Sequence, residues 1–126
     1  MNALLDTNVL IYYFNGLIDD DKVDLFLKES FNISVITKIE FLSWSRLKED
    51  VELDKKAQTF VSYATLFDLD DKVAQKTIDI RREFKTKTPD AIIAATALVH
   101  EMSIVTNNTS DFESLGLEVI NVNVDL

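Results

Sequence analysis

Four acidic residues stand at junctions in the sequence where a strand or loop gives way to a helix: Asp6, Glu40, Asp90 and Asp111. Asp6 ends the apolar run Asn2 to Leu5 and directly precedes the apolar helical stretch Thr7 to Phe14. Glu40 and Asp90 open two further helical segments, and Asp111 follows the β-rich run Met102 to Thr106. Carboxylates brought together repel one another unless a cation lies between them, and a site made of oxygens alone suits Mg²⁺ or Mn²⁺, which prefer octahedral oxygen coordination and keep several waters. Such a metal activates water for in-line attack on a phosphodiester and stabilises the charge developing on phosphate and leaving oxygen. Hydrolysis of a nucleic-acid backbone is the reaction this set of residues suits.

Gathering residues so far apart in the chain requires a particular kind of scaffold. Strand-like runs at Asn2 to Leu5, Phe31 to Ile36, Ala64 to Leu69, Met102 to Thr106 and Leu117 to Val122 are separated by helical spacing. The helical segments are 7–14, 19–29, 37–48, 54–64, 70–84 and 89–101, with a short helical turn near Asp111. Strands alternating with helices predict a single α/β domain over residues 1–126, a three-layer α/β/α sandwich around a mostly parallel sheet. In such sheets ligands bind in the crevice outside the carboxyl ends of the strands, where the four acids are placed to meet.

Each acid also has a purely structural reading. Thr37-Lys38-Ile39-Glu40 matches a capping box, with Thr37 as cap and Glu40 reaching back to its amide. Thr88-Pro89-Asp90 makes a good helix start with Thr88 as cap, Asp111 suits a turn, and Asp6 suits an N-cap. Their conjunction in one order favours the metal site over four separate caps.

Composition narrows the field further. With 126 residues, 47% hydrophobic and 28% charged, the chain can bury a core of its own. The longest apolar stretches, Val9 to Phe14 and Ala91 to Val99, fall short of the ~20 residues that cross a bilayer. The absence of a basic amino-terminal region argues against a secretory signal, so a cytoplasmic protein without membrane association is expected. Zero cysteines exclude disulfides and thiolate sites, one histidine, His100, excludes a His-rich zinc site, and two glycines leave no phosphate-cradling loop. His100 is expected on the surface at a helix end. The net charge of −9 repels nucleic acid at long range, so phosphate binding needs a bound metal and a local basic rim, for which Lys38, Arg46, Lys85 and Lys87 are the candidates.

The segments Leu4-Leu5-Asp6-Thr7-Asn8-Val9-Leu10-Ile11, Thr37 to Leu42, Pro89-Asp90-Ala91-Ile92-Ile93-Ala94-Ala95-Thr96-Ala97, Val105-Thr106-Asn107-Asn108 and Asp111-Phe112 together resemble the PIN-domain family. Within it, the chain is similar to VapC-type toxins. The resemblance runs essentially from end to end. It implies a compact PIN fold, Mg²⁺ or Mn²⁺-dependent endoribonuclease activity on RNA, a cognate antitoxin and a homodimer. Carried over by position, Asp6 and Asp90 coordinate the metal directly, while Glu40 and Asp111 position or activate the attacking water. Many family members have an acid at the place held here by Asn108, so either Asp111 or Asn108 completes the set. Asn8 and Thr106 are supporting polar groups that orient carboxylates or metal waters. Tyr12, Tyr13, Phe14, Phe41 and Trp44 suit either core packing or a groove for an antitoxin helix. A phosphoacceptor receiver domain is disfavoured, because Asp6 stands without an acidic neighbour and Pro89 follows Thr88 instead of Lys. A non-catalytic binding module of the same fold, and a PIN nuclease of RNA processing without an antitoxin, are the other readings.

Overall fold

A computed structural model of the protein describes residues 2–18 and 21–124. The elements run in the order β1 (Ala3–Leu5), α1 (Thr7–Phe14), α2 (Asp21–Glu29), β2 (Asn32–Ser34), α3 (Val35–Leu42), α4 (Ser45–Glu49), α5 (Val51–Ser62) and β3 (Thr65–Phe67). They continue with α6 (Asp71–Glu83), α7 (Thr88–Val99), β4 (Ser103–Thr106), α8 (Thr109–Glu113) and β5 (Val119–Asn121). All four strand pairings are parallel, in the order β3-β2-β1-β4-β5. The chain builds outward from β1 to β3, then returns to set β4 on the other side of β1. The crevice between the carboxyl ends of β1 and β4 is therefore the point where the winding reverses, which is where ligands enter open sheets of this kind.

Burial follows this order. Central β1 and β4 are covered on both faces and buried at every position (Ala-Leu-Leu and Ser-Ile-Val-Thr), whereas edge strands β3 and β5 keep exposed or half-exposed positions. Side-chain alternation divides the core in two. Ala3, Leu5, Ile33 and Val105 face α1, α2, α3 and α5, while Leu4 and Ile104 face α6, α7 and α8. The first layer holds an aromatic cluster in which Phe60 meets Phe14, Phe31 and Phe41 at centroid distances of 5.7, 5.0 and 6.0 Å. In the second, α7 is buried from Ala91 through Ala97, and its alanines let it lie between the sheet and α6. The three-layer α/β/α fold is as the sequence predicts. No helix among the described residues is long and apolar enough to cross a membrane.

Several boundaries differ from the sequence reading. The β-rich run 31–36 contributes only Asn32–Ser34 to the sheet, because Ser34 turns the chain into α3 by accepting a bond from the Ile36 amide (3.2 Å). The helix expected over 37–48 is two, α3 and α4, separated by Ser43 and Trp44. The helix expected over 54–64 starts earlier, at Val51, where Asp50 caps it by accepting from the Leu53 amide at 3.0 Å. Residues 19 and 20 of the predicted helix 19–29 lie outside the described residues. His100 is exposed at the end of α7, its ring 4.8 Å from that of Phe67.

Candidate active site

Asp6 leaves the carboxyl end of β1 with its amide bonded to the Val105 carbonyl (3.0 Å), so its side chain is fixed between the two central strands. It is 4% exposed. The Thr106 hydroxyl at the end of β4 donates to Asp6 Oδ2 (2.9 Å) and in turn accepts from the Asn108 amide (2.9 Å). Glu40 reaches the same crevice from α3. Its Oε1 accepts from the Thr7 hydroxyl (2.8 Å), and Thr7 Oγ1 lies 3.0 Å from the fully buried Thr37 Oγ1. A hydroxyl has one proton, so with Thr7 donating to Glu40 the Thr7–Thr37 bond is supplied by Thr37. Asp90 enters from the first turn of α7, half-buried, and Asp111 from α8, where Asn108 Nδ2 donates to its Oδ2 (2.7 Å).

These side chains border one open cavity of about 520 Å³. Asp6, Asn8 and Glu40 form its floor, Phe84 to Lys87 with Pro89 and Asp90 one wall, and Asn108, Asp111, Ser114 and Leu115 the other. All four acids expected from sequence are brought together here, along with Asn8 and Asn108, while Thr106 stands behind Asp6 without lining the cavity. Of the four candidate phosphate-binding cations, Lys85 and Lys87 are at the rim. Lys38 and Arg46 are not. Arg46 bonds Asn15 and lies over the Trp44 ring (5.7 Å to the centroid), so its guanidinium is engaged at the residue after α1 and the one before α4.

The structure replaces the capping readings. Thr37 is inside α3 and Ser34 is its cap, which frees Glu40 to face the cavity. Lys87, not Thr88, holds the N-cap position of α7, Thr88 and Pro89 already being helical. Asp6 precedes α1 in extended conformation, yet its side chain makes no cap bond to the helix. Thr7 was not singled out by sequence, although it is the middle residue of Asp6-Thr7-Asn8; its role depends on the packing of α1 against α3, which spacing alone does not reveal. Of the aromatic residues, Phe41 is fully buried and Tyr12, Tyr13, Phe14 and Trp44 pack at the margin of the first core layer.

Electrostatics follows from this crowding. Burial pushes the Asp6 carboxyl up from 3.8 to about 6; the Thr106 hydroxyl and Thr7 amide oppose the rise, and Asp90 and Glu40 add to it. Asp90 is also raised, first by burial, then by Glu40 and Asp111, with Lys87 opposing. Among the described residues no three acidic or histidine side chains are close enough to enclose a metal ion between them. Mg²⁺ does not need that, since it is bound through one or two carboxylates and retains its waters. Carboxylates that repel one another in a pocket with no sulfur or imidazole donor fit such an ion, which would relieve the repulsion that helps raise Asp6 and Asp90.

The sequence model of the PIN domain matches residues 3–116. The chain belongs to the PIN domain family. Among solved structures, this PIN domain is similar to a toxin–antitoxin complex from Klebsiella pneumoniae, with 30% identity over 95% of this chain and 97% of that one and a TM-score of 0.77. Two more distant likenesses share the fold. One is VapBC2 from Rickettsia felis bound to a promoter DNA fragment (24% identity, 98% and 100% coverage, TM-score 0.84). The other is DNA-bound VapBC from Salmonella typhimurium (23%, 96% and 98%, TM-score 0.82). A comparison with curated protein sequences found no match.

Proposed function

We propose that this PIN domain is the toxin of a type II toxin–antitoxin pair, a Mg²⁺ or Mn²⁺-dependent endoribonuclease that hydrolyses RNA phosphodiester bonds. The observation that carries the reading is the meeting of Asp6, Glu40, Asp90 and Asp111 around one cavity at the β1/β4 switch point. The 30% identity to a chain of a toxin–antitoxin complex supports the toxin assignment. A cognate antitoxin and a second copy of this chain are the protein partners that go with it.

Asp6 and Asp90 would hold the metal. When bound, the divalent ion supplies charge stabilisation for the phosphate and lowers the pKa of attacking water. Asp6 is aimed by the Thr106 hydroxyl and the Val105–Asp6 backbone bond, so it reaches the cavity in one orientation. Glu40, oriented by Thr7, accepts the proton of the attacking water. Asp111, held by Asn108, fixes water from the opposite wall. Second-partner hydrogen bonds of this kind typically support ligand affinity or activity by 10- to 100-fold, on the order of what Thr7 and Thr106 contribute here.

The test is cleavage of a labelled RNA pool with Mn²⁺, Mg²⁺ or EDTA, with Asp90→Asn as the control for contaminating nuclease. Metal-dependent cleavage by the parent and none by the variant supports the reading. Equal cleavage by both exposes a contaminating nuclease, whereas calorimetric metal binding with no cleavage of any RNA removes the reading in favour of a non-catalytic module.

A further inference from the structure

The cavity is electrostatically one-sided. Its α8 wall carries Asp111 and no cation, whereas the wall made by the α6–α7 connection and the start of α7 carries Lys85 and Lys87 beside Asp90. The last turn of α6, just before this connection, carries Arg81 and Arg82, which border a second surface cleft with Thr88. Residues 81–87, Arg-Arg-Glu-Phe-Lys-Thr-Lys, therefore present four cations against one acid in a chain whose net charge is −9. All four cations are exposed, and none of them forms an ion pair among the described residues. Charges concentrated against the sign of the whole molecule, free of salt bridges and beside an acidic cavity, suit an anionic ligand that spans from one cleft to the other.

Phe84 sits in the middle of this strip. It ends α6 in extended conformation (φ −122°, ψ 149°), its amide bonded to the Ile80 carbonyl (2.8 Å); it is partly buried against the second core layer and also lines the cavity. Arg81 Nε donates to the Thr86 carbonyl (3.4 Å), which ties the last turn of α6 to the connection. An anchored aromatic face flanked by cations is the combination that holds single strands, the ring stacking on a base while the cations follow the phosphates.

We propose that the last turn of α6 and the α6–α7 connection form the binding strip for an unpaired RNA strand leading from the scissile bond: Phe84 stacks on a base, Lys85 and Lys87 hold the phosphates at the cavity, and Arg81 and Arg82 hold those beyond it. The proposal deepens the nuclease reading and rests on it for the identity of the polyanion. A base-paired strand cannot offer a free base face to Phe84, so the strip selects loops, bulges and ends over duplex.

The test is fluorescence anisotropy with Asp90→Asn protein as the uncut parent, an unstructured fluorescein-labelled RNA oligonucleotide and the same oligonucleotide annealed to its complement. Phe84→Leu keeps the packing and removes the aromatic face. It is expected to weaken single-strand binding by about tenfold with the salt dependence unchanged. The double variant Arg81→Gln/Arg82→Gln is expected to lower the slope of log K against log salt by about 0.7 per lost contact. Circular dichroism melts confirm that each variant is folded. Unchanged binding by both variants, tighter binding of duplex than of single strand, or no RNA binding by the parent overturns the proposal. Cleavage by wild-type protein with unchanged binding by the variants would leave the nuclease standing and remove the strip. Strip-dependent binding with no cleavage under any metal would do the reverse.

Discussion

Asp6 couples the chemistry of the cavity to the stability of the fold. Its carboxyl is raised from 3.8 to about 6, so the native state holds this proton more tightly than the unfolded chain does. The associated stability is present below about pH 4 and is lost as pH rises through 6, a loss of about 3 kcal/mol in metal-free protein. Asp90, raised in the same direction, adds to the trend. Asp6→Asn retains an acceptor for Thr106 and carries no charge. In EDTA at pH 7.5 it is expected to be more stable than wild type by about 1 to 3 kcal/mol and to have a flatter pH profile, as read by urea titration, while losing cleavage. If its stability follows the wild-type curve from pH 4 to 8, the burial of Asp6 charge is not what limits the metal-free fold. Thr7→Val removes the donor to Glu40 at a 6% exposed position. The expected result is a stability loss of about 1 kcal/mol with a 10- to 100-fold fall in kcat, KM being little changed. An equal loss in kcat by Glu40→Gln alone and by the Thr7→Val/Glu40→Gln pair would show that both act through one group. The acids were legible in sequence because each stands where a strand or loop gives way to a helical pattern. Thr7 was not, since its meaning arises from the α1–α3 contact.

Helices with a strong pattern and a clean start were legible within a residue or two. α1 and α6 begin where Asp6 and Asp70 precede apolar spacing, and Asp70 does cap α6, accepting from the Val73 amide (2.9 Å). The β2–α3 boundary was harder. Val35 and Ile36 are β-branched and extend the strand-like run, but Ser34 supplies a cap and the packing of α3 on α1 and α5 overrides the propensity. The capping box starting at Thr37 points three residues too late, and only tertiary contact places the cap at Ser34. At the far end, Gly116 follows α8 with φ +81°, a left-handed conformation with nothing within 4 Å of where a Cβ would stand. Gly116→Ala is therefore expected to cost about 1 kcal/mol through backbone strain alone, measurable by thermal denaturation, with cleavage per folded molecule unchanged. α7 has no such latitude: Ala94 is fully buried between the sheet and α6, and Ala94→Leu is expected to cost about 1 to 3 kcal/mol.

At the scale of the whole molecule, a net charge of −9 and a cluster of four acids at one crevice make the metal-free protein a self-repelling body. Mg²⁺ is expected to raise the thermal midpoint beyond what NaCl at equal ionic strength does, and Asp6→Asn to abolish that difference, because only a ligand that binds the native state selectively shifts its stability by mass action. The Thr106–Asp6 hydrogen bond spans 100 residues, and β4, which carries Thr106, is the strand that pairs with β1 on the side opposite β2. On a ribosome, a chain that has emerged only as far as α7 has β1 as a sheet edge, no Thr106 to aim Asp6, and neither Asn108 nor Asp111 in place. The pocket is completed by the insertion of one late, non-local strand, so an unfinished chain lacks the assembled acids, and the proposed cleavage is expected only after β4 has docked on β1.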